Sequence, residues 1–388
     1  MLRIATRRSA LARAQALQTG RLIAARTGED FQLVPMATTG DLHPDRPITA
    51  FETKGLFVDK LREAVLSGDC DLVVHSYKDL PTDPVPGLVI GAVPPRADPR
   101  DALVTRLGEG AAGGAAGGAA GGRGSGHGHA LASMPERATV GTSSQRRRLQ
   151  LLFACPSLQV LPLRGNLDTR LRKVAEGELD AVVVALAGLR RLYGAGPLDL
   201  PVVVAPLEPS ECLPSPGQGA LAAECRADDE AVLAICGAVD DEATRWTVRA
   251  ERAYLEALGG GCLVPVGALA RVCAPEQLEL VGMLACPVTG KVLRRSLRGP
   301  GGDPQSLGAA LAEDVRAAGG QPMLELIEEL RARQALPAQG FGASPPAGFG
   351  ASPPAGFGGP PPEGFGASPP AQGFGEPPPA QAPKPAEP

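Results

Sequence analysis

A chain of 388 residues with 44% apolar content is long enough for two or three domains with cores of their own. Aromatic residues make up only 3%, and Phe341, Phe349, Phe357, Phe365 and Phe374 lie near the C-terminus, so the cores must be packed from Leu, Val and Ala. The net charge of −4 argues against wholesale attraction to nucleic acid, and no apolar run reaches the roughly 20 residues a bilayer span needs.

The first residues, "MLRIATRRSALARAQ", carry arginines but no uninterrupted apolar stretch, which excludes a signal peptide or an anchor. Eight cysteines without a C-x-x-C pair, and four histidines, give a metal site no support. The expected location is the cytoplasm, with reduced thiols.

In chain order, "LRIATR" reads as a strand, and Ser9 can cap the amphipathic helix "SALARAQALQTGRLIAARTG", which stops at Gly28. "LREAVLSG" is a short helix, "CDLVVHS" a buried strand and "LVIGAVP" another. Gly108 to His129, "GEGAAGGAAGGAAGGRGSGHGH", is too rich in glycine to hold a fixed structure. We read it as a flexible surface insertion whose His127 and His129 belong to the low-complexity run.

"ATVGTSSQRRRLQLLFA" repeats the strand, hydroxyl cap, helix order, and "LDAVVVALAGLRRL" is strand then helix. Such alternation implies α/β sheets with helices on both faces. From Asp240 the texture changes to a long helix, "DDEATRWTVRAERAYLEALGGG", with Trp246, Ala250, Ala253, Tyr254 and Ala257 on one face. Three strand-like runs follow, "GALARVC", "LELVGMLAC" and "KVLRRSLRG", then the helix "PMLELIEELRAR". Together these make an α+β domain with a small antiparallel sheet. Beyond Ala335 the repeat "GFGASPPA", with Phe every eight residues from 341 to 365, predicts a disordered tail.

Three stretches carry chemistry. In "HSYKDLPTDPVPG", Lys78 and Asp79 follow a buried strand, at the carboxyl end where ligands collect in open α/β sheets; a solvated turn is the competing reading. "GTSSQRRR" sets Thr142, Ser143 and Ser144 at a helix N-terminus before Arg146, Arg147 and Arg148, and "LRGNLDTRLRK" adds Arg164 and Arg170. Arg7 and Ser9 repeat the pattern at the first strand-to-helix junction. Free N–H groups, hydroxyls and guanidiniums suit carboxylate or phosphate, although Arg148 and Arg172 fit a solvated helix face. The expectation is an arginine-lined cleft between two α/β domains for a ligand with several acidic groups. Finally, "GGGCLVP" puts Cys262 in a glycine-rich turn, reachable and with room for a bulky adduct. That points to covalent attachment or nucleophilic attack, whereas Cys70, Cys236 and Cys286 suit small buried hydrophobes.

In their order, "LRIATRRSALARAQ", "KGLFVDKL", "DLVVHSYKDLPT", "DPRDALV", "VGTSSQRRRLQL", "LRGNLDTRL", "AGLRRL", "PGQGAL" with "ECR", "AERAYL" and "GGGCLVPVG" resemble the porphobilinogen deaminase (hydroxymethylbilane synthase) family, from Leu2 to about Ala332 without the Gly/Ala insertion. The resemblance implies a transferase that joins four porphobilinogen molecules head to tail, releasing ammonia each time, on a dipyrromethane cofactor thioether-linked to Cys262. It implies Asp79 as the catalytic carboxylate. It further implies cofactor and substrate contacts from Arg7, Ser9, Lys54, Lys78, Thr142, Ser144, Arg146, Arg147, Arg164, Arg170 and Arg191. Ala50 stands where many members have a second loop lysine.

The implied fold is α/β, two doubly wound periplasmic-binding-protein-like domains (1–95 with 216–238, and 96–215) plus a smaller α+β domain (239–333) bearing the cofactor, ahead of the tail 334–388. The expected partner is the small-molecule substrate porphobilinogen, with no nucleic acid, membrane or metal, and the expected state a monomer. A non-enzymatic two-lobed solute-binding module would also use an arginine cleft but has no need of "GGGC", and a nucleic-acid binder using "QRRR" and "LRRL" would need more aromatics than this chain has.

Overall fold

The computed structural model describes residues 1–37, 58–107, 130–260 and 264–335. Lys54, Ala50, Cys262, the Gly/Ala insertion and the tail lie outside the described residues. Residues Met1–Ala332 form one compact unit.

Strands and helices are numbered in chain order. In the first sheet, β1 (Leu2–Arg7) pairs in parallel with β2 (Phe31–Met36) and β3 (Leu72–Ser76). The sheet is completed by β10 (Leu221–Arg226), antiparallel to β3 and to β4 (Leu88–Ala92), in the order β2-β1-β3-β10-β4. The second sheet repeats this plan: β6 (Thr139–Gly141) lies parallel to β7 (Gln159–Leu161) and β8 (Ala181–Ala185), and β5 (Asp101–Arg106) lies antiparallel to β8 and to β9 (Val202–Pro206). Its order is β7-β6-β8-β5-β9.

Burial on both faces explains why β3 and β8 are continuous apolar runs rather than alternating ones. In the first lobe, Ile4, Leu72 and Val74 pack with Ala16 and Ile23 of α1 (Ala10–Thr27). The opposite face, Ala5 and Val73, packs with Leu61 and Val65 of α2 (Asp59–Leu66). In the second lobe, Val182 and Val184 meet Leu171 of α4 (Leu167–Ala175) and Leu189 of α5 (Leu186–Tyr193), whereas Val140 and Val183 meet Leu151 of α3 (Gln145–Ala154). Both lobes are thus doubly wound α/β units, as read from the sequence.

Each sheet takes its fourth strand from a crossing of the chain, β4 to β5 through 93–100 and β9 to β10 through 207–220. The crossings run side by side: Ala97 N donates to Gly219 O at 3.2 Å and Arg96 Nε to Gln218 O at 2.9 Å. Gly219 has φ +89°, and a Cβ there would meet Ala97 O at 2.4 Å, so only glycine admits this contact.

After α6 (Glu230–Gly237), Asp241 caps α7 (Glu242–Ala257), which starts two residues later than the sequence reading begins that helix. The antiparallel sheet β11 (Val266–Ala274), β12 (Gln277–Ala285) and β13 (Val292–Pro300) then packs against α7, α8 (Pro304–Val315) and α9 (Gln321–Ala335). Tyr254, Leu278, Leu280 and Leu311 lie at the centre of this core, and the predicted α7 face joins it through Ala250, Tyr254 and Trp246. A Cβ at Gly308 would lie 2.4 Å from Ala250 O, so α8 approaches α7 over a glycine.

Candidate active site

β3 ends in a single 3₁₀ turn, Tyr77–Asp79, which puts Lys78 and Asp79 at the carboxyl edge of the first sheet. Asp79 is exposed and Lys78 half-buried. The turn is held from below by the second crossing. Tyr77 N donates to Ala220 O at 3.1 Å, Lys78 Nζ donates to Gln218 Oε1 at 3.2 Å, and Gly217, φ +73°, backs onto Lys78 so closely that a Cβ would meet its N at 3.3 Å.

The second lobe contributes Asp101, the first residue of β5, with no exposed surface. Arg146 Nη1 lies 2.9 Å from its Oδ2, while Arg147 Nη2 at 2.7 Å and Gln218 Nε2 at 2.8 Å donate to Oδ1. Burial opposes its charge, but the Arg146 and Arg147 guanidiniums prevail and hold the Asp101 carboxyl well below the usual carboxylate range. Cys212 Sγ donates to the same carboxylate at 3.4 Å, and burial, reinforced by that negative charge, pushes the thiol up to about 12. Cys212 is therefore no nucleophile.

Arg146 and Arg147 differ from the expectation of open, ligand-ready side chains. Both are buried and paired with Asp101, which neither lobe could hold as an anion without them. They also reach across to the first lobe: burial pushes the Lys78 ammonium down and both guanidiniums push the same way, against Asp79 and Asp101.

The remaining cations surround this cluster. Arg170 is half-buried and donates from Nε to Gly165 O at 2.9 Å; burial, then Arg147, pushes its pKa down. Arg191 spans both lobes, donating to Gln18 Oε1 at 3.1 Å and to Gly219 O at 2.7 Å, and burial pushes it down to about 10. Their described hydrogen bonds thus go to carbonyl and amide oxygens, not to carboxylates. Arg7 is half-buried at the end of β1, and Arg164 is exposed before α4.

The hydroxyls have local work. Ser9 Oγ accepts from Ala12 N at 3.3 Å and Ser144 Oγ from Arg147 N at 3.4 Å, capping α1 and α3, while buried Thr142 Oγ1 accepts from Ser144 N at 3.2 Å. Each hydroxyl keeps its proton to donate. A cavity of about 40 Å³ lies between the lobes, lined among others by Gln15, Ser76, Lys78, Arg191 and Gln218.

The structure therefore brings together Lys78, Arg146, Arg147 and Arg170 in one electrostatic cluster, with Arg191 across the crossing and Asp79 at its edge. Asp101, Gln218, Glu251 and Arg252 were not singled out from the sequence, although "DPRDALV", "PGQGAL" and "AERAYL" contain them.

Comparison with known proteins gives the arrangement its context. A family model described as "Porphobilinogen deaminase, dipyromethane cofactor binding domain" matches residues 2–234, the span of both sheets, and one described as "Porphobilinogen deaminase, C-terminal domain" matches 246–317, the range that includes Cys262. Similar curated proteins named porphobilinogen deaminase include that of Acidothermus cellulolyticus, 45% identical over 330 residues, covering 84% of this chain and 91% of its own. That of Roseiflexus castenholzii is 44% identical over 324 residues, covering 83% and 98%, and that of Mycobacterium tuberculosis 42% over 332 residues, covering 84% and 98%. The chain belongs to the porphobilinogen deaminase family, whose reaction is the polymerisation of porphobilinogen into hydroxymethylbilane.

Proposed function

We propose that Asp79 is the catalytic carboxylate of that reaction in this chain, that Cys262 carries the dipyrromethane, and that the cations of both lobes hold the acidic side groups of cofactor and substrate. The observation that carries the reading is the imbalance of the site. Lys78, Arg170 and Arg191 are all pushed toward neutrality by burial, which only an incoming anion would reverse. A pyrrole chain bearing an acetate and a propionate on each ring fits that donor set, since its own charges would repel one another without such partners.

Arg7, Lys78, Arg146, Arg147, Arg164, Arg170 and Arg191 would hold the acidic groups of cofactor and substrate, with Ser9, Thr142 and Ser144 donating from their hydroxyls and Lys54 as a further cation. The dipyrromethane supplies a free α-carbon as the nucleophile. Asp79 delivers a proton to the substrate's aminomethyl nitrogen as ammonia leaves, and its carboxylate then faces the pyrrole N–H of the electron-poor ring. The same carboxylate would then be the group placed to take back a proton at the reacting ring. Exposure of Asp79 beside half-buried Lys78 leaves the carboxyl open to an arriving ring.

We divide the chain into 1–95 with 216–238, 96–215 and 239–333, followed by 334–388, and assign it as a monomer of the cytoplasm that binds no nucleic acid. Its net charge of −4 supports the last point. Among the described residues no helix is long and apolar enough to cross a membrane.

Intact-mass measurement of the purified protein tests the cofactor assignment: the mass should exceed that of the sequence by one dipyrromethane, and Cys262→Ser should lack the increment. Active protein at the bare-chain mass refutes it. Asp79→Asn should keep the increment and lose turnover; near-normal turnover removes Asp79 from the mechanism.

A further inference from the structure

The turn carrying Asp79 is short, with one backbone bond of its own, Leu80 N to Tyr77 O at 3.2 Å. A single turn of this kind has no intrinsic rigidity, so its orientation has to be imposed from outside. The backbone on either side of Asp79 converges on one side chain. Arg252 of α7 donates from Nη1 to Leu80 O at 3.0 Å and Tyr77 O at 3.3 Å, and from Nη2 to Pro81 O at 2.6 Å. Its Cζ also lies 4.8 Å from the centroid of the Tyr77 ring. Three carbonyls and a ring face are thus served by one planar cation, a combination that a lysine's point charge cannot reproduce.

The helix that presents this cation is itself fixed. Glu251, the preceding residue, has no exposed surface; it accepts from Arg96 at 2.6 and 2.9 Å, from Gly217 N at 2.7 Å and from Ala270 N at 2.8 Å. Those donors come from both interlobe crossings and from β11. α7 is therefore locked to the two crossings by one residue and to the Asp79 turn by the next. Just beyond the helix, Gly260 packs against the same loop, where a Cβ would lie 3.3 Å from Thr82 Oγ1. Cys262 follows two residues later in the sequence.

We infer that Arg252 is a positioning residue for the reaction: it fixes the Asp79 turn to α7, so that the carboxylate keeps one orientation through successive additions. The inference rests on Asp79 being the catalytic carboxylate.

The test compares full-length, dipyrromethane-loaded Arg252→Ala, Arg252→Lys and Asp79→Asn with the parent, loading being checked by intact mass. Misplacing a reacting group by about 1 Å costs on the order of 100-fold. For Arg252→Ala we therefore expect kcat to fall at least about tenfold with KM for porphobilinogen nearly unchanged, and amide exchange at Lys78–Leu80 to speed up. Added methylguanidinium should restore part of kcat in the Ala variant, and Arg252→Lys should sit between the two. Should Arg252→Ala fail to fold, the Lys variant carries the same kcat-against-KM and exchange readouts. Parent-like kcat in a loaded Arg252 variant, or a loss that lies wholly in KM, overturns the inference while an inactive Asp79→Asn leaves the Asp79 assignment standing. Near-normal turnover by Asp79→Asn strikes the assignment itself.

Discussion

Asp101→Asn isolates what holds the second lobe's site together. The carboxylate is fully buried and touches Arg146 at 2.9 Å, Arg147 at 2.7 Å and Gln218 at 2.8 Å. Asparagine keeps the shape but leaves two buried guanidiniums without a counter-charge. Breaking a buried pair by removing one partner costs about 3–5 kcal/mol, and two cations sharing one anion place this site at the upper end. Urea denaturation at pH 7 followed by far-UV circular dichroism measures the loss. The pH dependence has a definite sign. Because the folded-state pKa of Asp101 is depressed, its contribution is complete above the unfolded carboxylate value of about 3.9 and fades as pH falls through the folded value. The gap between parent and Asp101→Asn should therefore be constant near neutrality and narrow only in strong acid. An additional substitution of Arg146 and Arg147 by Met should recover much of the loss, since an apolar cluster of similar volume carries no desolvation cost. A neutral-pH difference below about 1 kcal/mol, the scale of an exposed pair, would refute the reasoning.

Two further outcomes follow from the same contacts. Gly219→Ala forces a Cβ to within 2.4 Å of Ala97 O at φ +89°, so the crossings must separate; stability should fall by about 1–3 kcal/mol, read from the urea midpoint, and an unchanged midpoint would show that the crossings slide freely. Iodoacetamide at pH 8 should alkylate exposed Cys273 and spare buried Cys212, whose thiol is pushed up to about 12; peptide mass mapping that finds Cys212 modified in folded protein would contradict its burial.

The elements that announced themselves in the sequence are those whose pattern is local. Ser9 and Gly28 bound α1 as read, because a cap hydroxyl and a left-handed glycine act within one turn. The apolar runs of β3 and β8 were equally plain, being buried on both faces. Helix α8 was passed over despite Asp303 as cap and Pro304 behind it, because Gly308 reads as a breaker until Ala250 O is seen to need the space. Sheet order is a different matter. That β5 and β10 are exchanged between the lobes depends on pairings 76 to 153 residues apart, which no local pattern encodes.

The same divide runs through the site. Arg146 and Arg147 were legible as guanidiniums behind a helix cap, yet their commitment to Asp101 was not, since a buried acid looks in sequence like any aspartate opening a strand. Asp79 could be placed at a strand end, but the side chain that orients it comes from α7, more than 170 positions later. Placing Glu251 and Arg252 next to each other has a mechanical consequence that neither has alone. On a helix, adjacent residues point about 100° apart, so one can face the crossings and the other the Asp79 turn. A shift of either lobe about its crossing must then move α7, or break the Glu251–Arg96 pair buried inside it. With that pair intact, lobe motion carries the turn along with the helix, and the carboxylate keeps its place relative to the segment approaching Cys262 while the surroundings adjust to a lengthening chain. Glu251→Gln should therefore loosen this coupling without touching any group beside Asp79, showing itself as faster exchange at both crossings and at Lys78–Leu80 together. Exchange that rises at the crossings alone would mean the turn is held independently of them.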